Sequence, residues 1–346
     1  MKALVKFDYG KEGLEIREVP EPIPHEGELK VRVIAAGICG SDIHSMLDER
    51  KTIMPVTLGH EYVGEVVETC GDVGDFKVGD NVVTLPACYS CGECDFCKAG
   101  MVTLCAHRAS IGTHRNGAMA EYVVVPAKYS FKVPEDETDV ISYALSEPFN
   151  CAVRGVYERI NVNPGDVAVV VGPGTIGQFA MQALKSRGAY VIAYGLPTDA
   201  ARLQLAKELG ADVIVDNFDK LNEEIKKVNP RGADIVVEAG GHPSCLDVCL
   251  NVVKTKGTML VLSFYGGMQT SLRFDTTHEK ELDVFGSNST AMSTWDIGLK
   301  LLSEKKVNLG PLVSLKLPLT EWKRGFDAVV NKEAYKVVLC PGLDKE

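Results

Sequence analysis

Over roughly the first 150 residues, apolar positions come in short strand-length runs broken by glycine and proline. Leu29–Ala35, Tyr62–Glu68, Asn81–Leu85 and Glu121–Val125 are such runs, and Met1–Phe7 alternates apolar and polar like a further strand. This rhythm predicts a compact, barrel-like β domain carrying long loops. It changes near Asn163-Pro164-Gly165-Asp166. Val167–Val171 is apolar throughout, as a strand buried on both faces requires, and Ile176–Lys185 has helical spacing. Strands Tyr190–Tyr194, Val213–Val215, Ile235–Glu238 and Thr258–Leu262 then alternate with helices Ala200–Leu209, Leu221–Val228 and Ser244–Val253. Alternating βα units of this kind predict a doubly wound parallel sheet, and the fold class is therefore α/β. A Val284-Phe285 strand, helices at Trp295–Ser303 and Glu321–Val329, and a last strand Lys336–Leu339 complete the chain.

A length of 346 residues fits two such domains, each able to bury its own core. The net charge of −10 argues against non-specific binding to nucleic acid or to an anionic membrane. No apolar run approaches the ~20 residues that span a bilayer, and the N-terminus lacks the apolar core of a signal peptide. The expected place is the cytoplasm. There a set of 11 cysteines points to metal rather than to disulfides.

Cys91, Cys94 and Cys97 recur at every third residue, and Cys105 follows. Thiolates at this spacing fold back on one ion, and a fourth closes a tetrahedron with no open position, as in structural zinc. An iron–sulfur cluster uses the same ligands. Cys88 lies close by and could compete as a ligand, but it is left out of the set. A second set is mixed: Cys39-Gly40-Ser41-Asp42-Ile43-His44 and Gly59-His60-Glu61. One thiolate, one imidazole and a carboxylate are a donor set of catalytic zinc with an exchangeable position.

With Gly117-Ala118-Met119-Ala120-Glu121-Tyr122 and Ser146-Glu147-Pro148, these motifs make the chain resemble the zinc-dependent medium-chain alcohol dehydrogenases over nearly its whole length. The sorbitol, threonine and galactitol-phosphate dehydrogenase branch is the nearest. The resemblance implies a β-rich GroES-like catalytic domain (1–152 and 291–346) and a Rossmann cofactor domain (153–290). It implies that Cys39 and His60 ligate a catalytic zinc, with Glu61 or Glu147 as the carboxylate, bound directly or through water. From the residues alone, Glu147 reads first as a helix N-terminal acid beside a proline. Asp42 would orient the zinc-bound imidazole from behind. Ser41 and His44 match the family's proton relay, from substrate to Ser41, through the cofactor ribose to His44, and on to water. Family members are homodimers or homotetramers, and Leu282–Phe285 is a reasonable edge for pairing.

Gly172-Pro173-Gly174-Thr175-Ile176-Gly177 supplies the G-x-G-x-x-G turn between a buried strand and a helix, the setting that binds a dinucleotide pyrophosphate. The second strand of such a unit ends in an acid that holds the adenosine ribose. Here Gly195 takes its place. Without that charge Thr198 and Arg202 could take a 2′-phosphate, which favours NADP, whereas Asp199 could reach the ribose and restore NAD. Ser263, Phe264, Ser287 and Asn288 lie near the nicotinamide by resemblance.

The expected function is zinc-dependent hydride transfer between a polyol, sugar alcohol or other secondary alcohol and NAD(P), with two zinc ions per chain. A non-catalytic, zinc-stabilised NAD(P)-binding sensor is the alternative. A zinc-free reductase on the same architecture is disfavoured by Cys39, His60 and the cysteine cluster.

Overall fold

The computed structural model describes residues 1–135 and 137–345. The chain divides into two units, one formed by Met1–Glu147, Thr290–Leu299 and Leu309–Glu346, the other by Pro148–Ser289 and Lys300–Asn308.

In the first unit a seven-stranded sheet runs in the order Val313–Leu317, Lys336–Leu339, Glu28–Gly37, Glu61–Cys70, Asn81–Thr84, Ser130–Lys132. Tyr122–Pro126 also pairs with Glu28–Gly37. A three-stranded sheet holds Leu14–Glu18, Lys2–Lys6 and Val56–Thr57. Each strand run read from the sequence forms a strand with ends within two residues of the reading: Glu28–Gly37 and Glu61–Cys70 run longer, Lys2–Lys6 and Asn81–Thr84 shorter, and Tyr122–Pro126 is shifted by one. Register brings distant positions side by side, for Gly37 pairs with Glu61 on one side and with Val338 on the other. Cys39, His60 and Lys336 therefore lie within two residues of one point on the sheet. The segment Thr290–Leu299 is held in this unit by the stacked rings of Phe131 and Trp295, 5.1 Å apart, and by Thr103 Oγ1 donating to the Thr290 carbonyl.

The second unit is a six-stranded, all-parallel sheet in the order Val213–Val215, Tyr190–Tyr194, Val167–Val171, Ala233–Glu238, Val253–Val261, Asp283–Gly286. Every residue of Val167–Val171 is buried, as its unbroken apolar run requires. Strand order reverses between Val167–Val171 and Ala233–Glu238, the switch point at which such sheets open a ligand crevice beyond their C-terminal ends. Two boundaries in this unit differ from the sequence reading by three residues or more. The helix Phe218–Val228 begins three residues early because the Asn217 side chain caps the Asp219 and Lys220 amides. The fifth strand, Val253–Val261, starts directly after its helix, because Val253 already pairs with Ala233. Among the described residues no helix is long and apolar enough to cross a membrane.

Candidate metal centres and dinucleotide turn

The four cysteines of the expected knot come together. Cys91, Cys94, Cys97 and Cys105 each offer a sulfur within 4.8 Å of the others. Cys105 Sγ is 3.6 Å from Cys91 Sγ, and Cys94 Sγ is 3.5 Å from Cys97 Sγ. Backbone amides of Cys94 and Glu93 hold the Cys91 thiol down to about 6, and Cys97 is lowered too, whereas Cys94 is raised to about 11. Among free thiols, sharing of few protons is expected where several sulfurs crowd one another. Four sulfurs at this separation, with some already favouring thiolate, fit a tetrahedral zinc. Cys88 stands apart: it is buried, and burial pushes its thiol up to about 12, so it stays protonated.

The mixed set is assembled from two turns of the first unit. Cys39 precedes the short helix Gly40–Met46, and its backbone amide donates to Asp42 Oδ2 at 2.9 Å. His60 and Glu61 open the strand Glu61–Cys70. Donor atoms of Cys39, His60 and Glu61 all lie within 4.8 Å of one another. Glu61 is fully buried, and its Oε1 has no hydrogen-bond partner. A buried carboxylate with one unpartnered oxygen, grouped with a thiol and an imidazole, is a donor set that a divalent ion would satisfy. His60 Nε2 is 3.4 Å from Ser41 Oγ, while Nδ1 is 3.6 Å from Asp42 Oδ1. Burial pulls the His60 pKa down, but the charges of Asp42 and Cys39 prevail and hold it well above the usual imidazole range. Burial likewise opposes ionisation of Asp42, yet His60, the Cys39 amide and Lys336 hold it below the usual carboxylate range.

Two of the expected residues lie outside this group. Glu147 is buried at the start of the helix Ser146–Val153, within electrostatic reach of Lys336 but not among the 4.8 Å donors. His44 is exposed near the end of its helix, its Nδ1 2.6 Å from Glu49 Oε2.

Lys336 and Glu49 are not singled out by the sequence. Lys336 is buried, and its Nζ donates to the Ile38 carbonyl at 3.1 Å and to Glu61 Oε2. Burial works against its charge, but Glu61, Cys39 and Glu147 raise its pKa above the ordinary lysine value. Gly37 makes room for this pair, since a Cβ there would lie 2.6 Å from Glu61 Oε2. The only available signal is a lysine at the head of an otherwise apolar strand, Lys336-Val337-Val338-Leu339.

In the second unit the glycine turn is closed by backbone contacts. Gly172 has φ +99°, and a Cβ on it would lie 2.6 Å from the backbone of Gly240. A Cβ on Gly177 would meet the Gly172 carbonyl at 1.9 Å. Gly174 precedes the helix Thr175–Ser186, and only Arg202 Nη1 comes within 4 Å of its missing Cβ. Thr175, Ile176 and Gly177 form the first turn of that helix, and a helix N-terminus of this kind suits a pyrophosphate. A side chain at Gly195 would collide with Pro173 Cγ at 2.8 Å and crowd Asp199 Cβ at 3.2 Å, so this turn has no room for the usual acid. Asp199 Oδ2 instead accepts the Leu196 amide at 3.0 Å, and Thr198 is exposed beside it. Ser263 and Phe264 follow the fifth strand, Phe264 being 80% exposed. The Ser287 amide donates to the Val261 carbonyl at 3.1 Å, and the Asn288 carbonyl accepts from Arg154 Nη1 at 2.5 Å.

Two family models match the chain: the alcohol dehydrogenase GroES-like domain over residues 25–135 and the zinc-binding dehydrogenase over residues 175–304. The chain is 36% identical to a sorbitol dehydrogenase of Halalkalibacterium halodurans, covering 99% of each. It is 35% identical to a D-arabitol-phosphate dehydrogenase of Enterococcus avium, covering 98% of this chain and 97% of that one. A protein of Sinorhizobium meliloti 1021, described as a zinc-binding dehydrogenase and solved with NADP bound, superposes with a TM-score of 0.88 at 30% identity. That match covers 98% of this chain and 99% of the other. With its β-rich GroES-like part and its Rossmann sheet, the chain belongs to the zinc-binding medium-chain alcohol dehydrogenases, oxidoreductases that work with NAD(P).

Proposed function

We propose that Cys39, His60 and Glu61 hold a catalytic zinc, with Glu147 in reserve as the exchanging carboxylate. The zinc of Cys91, Cys94, Cys97 and Cys105 is structural, giving two ions per chain. Residues 1–152 and 291–346 are assigned the alcohol and residues 153–290 the dinucleotide. The observation that carries this reading is the buried Glu61 carboxylate, its Oε1 unpartnered, grouped within 4.8 Å with a thiol and an imidazole. A zinc bound there supplies Lewis acidity that lowers the pKa of a substrate hydroxyl. Ser41, beside His60 Nε2, is placed to take the hydroxyl proton, since its oxygen both accepts and donates. Exposed His44, with Nδ1 engaged by Glu49, keeps its other nitrogen free to pass a proton to water. Asp42 orients the His60 ring from the Nδ1 side. A bound dinucleotide would supply the hydride acceptor, and Ser263, Phe264, Ser287 and Asn288 are assigned to hold its nicotinamide.

The substrate class is a polyol, sugar alcohol or other secondary alcohol, in keeping with relatives that act on sorbitol and arabitol phosphate. One feature favours an anionic member of that class. Partial burial lowers the His114 pKa, as do the charges of Arg50, Arg108 and Lys51, so three cations gather near one ring. The Ile53 amide, bonded to the Thr113 carbonyl at 2.9 Å, joins their two segments. Gly112, in the second segment, packs on the Gly59 backbone next to His60. A polyol phosphate is expected to show a kcat/KM about tenfold above its parent polyol, as one screened charge interaction allows. Equal values would reject the anionic preference and leave the dehydrogenase reading intact.

For the cofactor we favour NADP: Gly195 leaves no acid, Arg202 stands over the turn, and the Asp199 carboxylate is engaged by Leu196. Initial rates with NAD and NADP at equal concentration test this, and a strong NAD preference overturns it. The homodimer or homotetramer common in the family is proposed here on analogy, with Asp283–Gly286 at the open edge of the sheet. The overall reading predicts about two zinc atoms per chain by metal analysis. One atom, with intact cofactor binding and no turnover of any alcohol, would support the non-catalytic sensor.

A further inference from the structure

Glu238 ends the strand Ala233–Glu238 at the switch point of the Rossmann sheet, and its side chain is fully buried with no cation paired to it among the described residues. Oε1 accepts two backbone amides, from Gly240 at 2.8 Å and from Gly241 at 2.9 Å. That short loop touches both halves of the cofactor site. Gly240 backs directly onto Gly172 of the pyrophosphate turn, where a Cβ would be 2.6 Å away. A Cβ on Gly241 would sit 3.1 Å from the Phe264 carbonyl and 3.6 Å from Ser263 Cβ, in the segment assigned to the nicotinamide. The other oxygen, Oε2, is buried without a hydrogen-bond partner, and so is the hydroxyl of Tyr265. Tyr265 directly follows that segment and precedes Gly266 and Gly267, both left-handed at φ +59° and +79°. Burial, a side-chain interaction with Glu238 and the Glu238 charge hold the proton on Tyr265, so its hydroxyl stays a donor toward this carboxylate.

We propose that Glu238 is a positioning residue for the dinucleotide. Its carboxylate clamps the 239–241 backbone on which the Gly172 turn and the Ser263–Phe264 segment both rest, and the Tyr265 hydroxyl bonds to Oε2 when the cofactor is bound. The acceptor of the two amides is fixed before the ligand arrives. The Tyr265 contact, already within reach of Glu238, tightens with it, and so adds to the hold on the bound state.

The experiment is fluorescence titration of NAD(P)H into the zinc-loaded chain and into Glu238→Ala, Glu238→Gln and Tyr265→Phe. Zinc content and melting temperature are measured with and without cofactor. Glu238→Ala removes the acceptor that holds the Gly240 and Gly241 amides and is expected to raise Kd roughly tenfold. Glu238→Gln, which keeps one acceptor oxygen, recovers most of that loss, and Tyr265→Phe weakens binding several-fold with an unchanged melting temperature in the free protein. Zinc content stays at the level of the unaltered chain in all three. Glu238→Ala with a lowered melting temperature but a Kd within twofold of the unaltered chain would make the carboxylate a purely structural group and overturn the proposal. If Glu238→Ala fails to fold, unchanged Kd in both Glu238→Gln and Tyr265→Phe overturns it instead. The proposal rests on the dinucleotide reading of the Gly172 turn. Failure of the unaltered chain to bind NAD(P)H would refute that reading itself, a result distinct from unchanged binding in the variants.

Discussion

The two sulfur-bearing centres of the first unit are built on opposite plans. In the cysteine cluster all donors come from residues 91–105, one loop whose own spacing brings them together, and Cys91 is exposed. At Cys39, His60 and Glu61 the donors come from two turns brought together by sheet register. Their charges are set by buried neighbours, Asp42 from one side and Lys336, 275 residues along the chain from Glu61, from the other. A closed set of like donors can only hold. An uneven set, with an oxygen left unpartnered and a cation behind it, can hold an ion and still exchange a ligand. The difference between scaffold and chemistry thus lies in how far the supporting residues are drawn from across the fold.

The sharpest way to break that contrast is Cys39→Ser. If the mixed centre carries the chemistry, turnover should fall about a thousandfold or more, the several kcal/mol a Lewis acid supplies. Zinc should drop from two atoms to one, and NAD(P)H should bind as before. Turnover surviving at a tenth of the starting rate would refute the assignment.

Lys336→Met probes the supporting charge. Removing one partner of a buried ion pair strands the other and typically costs about 3–5 kcal/mol. The Lys336 side chain is 7% exposed and that of Glu61 fully buried, so solvent does little to soften the loss. Denaturant unfolding of the metal-free chain should show it, and Lys336→Arg should recover part of it. Added zinc should protect the methionine variant more than it protects the parent, because the ion then becomes the only countercharge to Glu61. Equal protection in both would mean that Glu61 does not face the metal.

These two residues also mark what the sequence makes legible. The cysteine cluster can be read outright, since its geometry is contained in its spacing. So can the Rossmann strands: Val167–Val171, Tyr190–Tyr194 and Val213–Val215 coincide with the elements read from apolar runs alone. Cys39 and His60 acquire meaning only together with the other motifs. Lys336 and Glu238 cannot be read that way, because a lysine opening a strand and a glutamate closing one are ordinary where strands meet solvent. Their roles come from pairing across the sheet and from burial, which the local pattern does not encode. The boundary of the helix Phe218–Val228 was accessible in principle, because Asn217 is a favoured cap type.

Asp42→Asn tests the other support, and pH gives its sign. In the metal-free chain the His60 pKa is raised. Its protonated form therefore adds stability in full below the unfolded value of about 6.5, and loses it as pH rises through the folded value. Asp42, whose pKa is lowered, contributes above its unfolded value and loses that contribution as pH falls through the folded one. The two terms overlap between those limits, so the metal-free chain draws most from this pair in mildly acidic solution. Zinc needs the unprotonated ring, and its affinity for this centre should climb as pH rises through the raised folded value and His60 gives up its proton. The asparagine variant should flatten that climb and cost about 10–100-fold in zinc affinity at pH 8. An unaltered slope in competition titrations with a chelator would remove Asp42 from the site.

The smallest expected effect belongs to Cys88→Ala, and it tests the closed plan of the cluster. Cys88 lies three residues before Cys91 and so continues the same spacing, yet it is 1% exposed, with its thiol pushed up to about 12 by burial. A sulfur that keeps its proton at neutral pH competes poorly with Cys91, held down to about 6, for a zinc ion. Its work is packing, and truncation to alanine should cost about 1 kcal/mol for one small buried group, a few degrees at most in melting temperature. Two zinc atoms should remain, with turnover unchanged. A preparation of the alanine variant holding one zinc, or a melting temperature that zinc no longer raises, would mean that Cys88 rather than one of the four is a ligand. The boundary between packing sulfur and binding sulfur would then have to be redrawn within this loop.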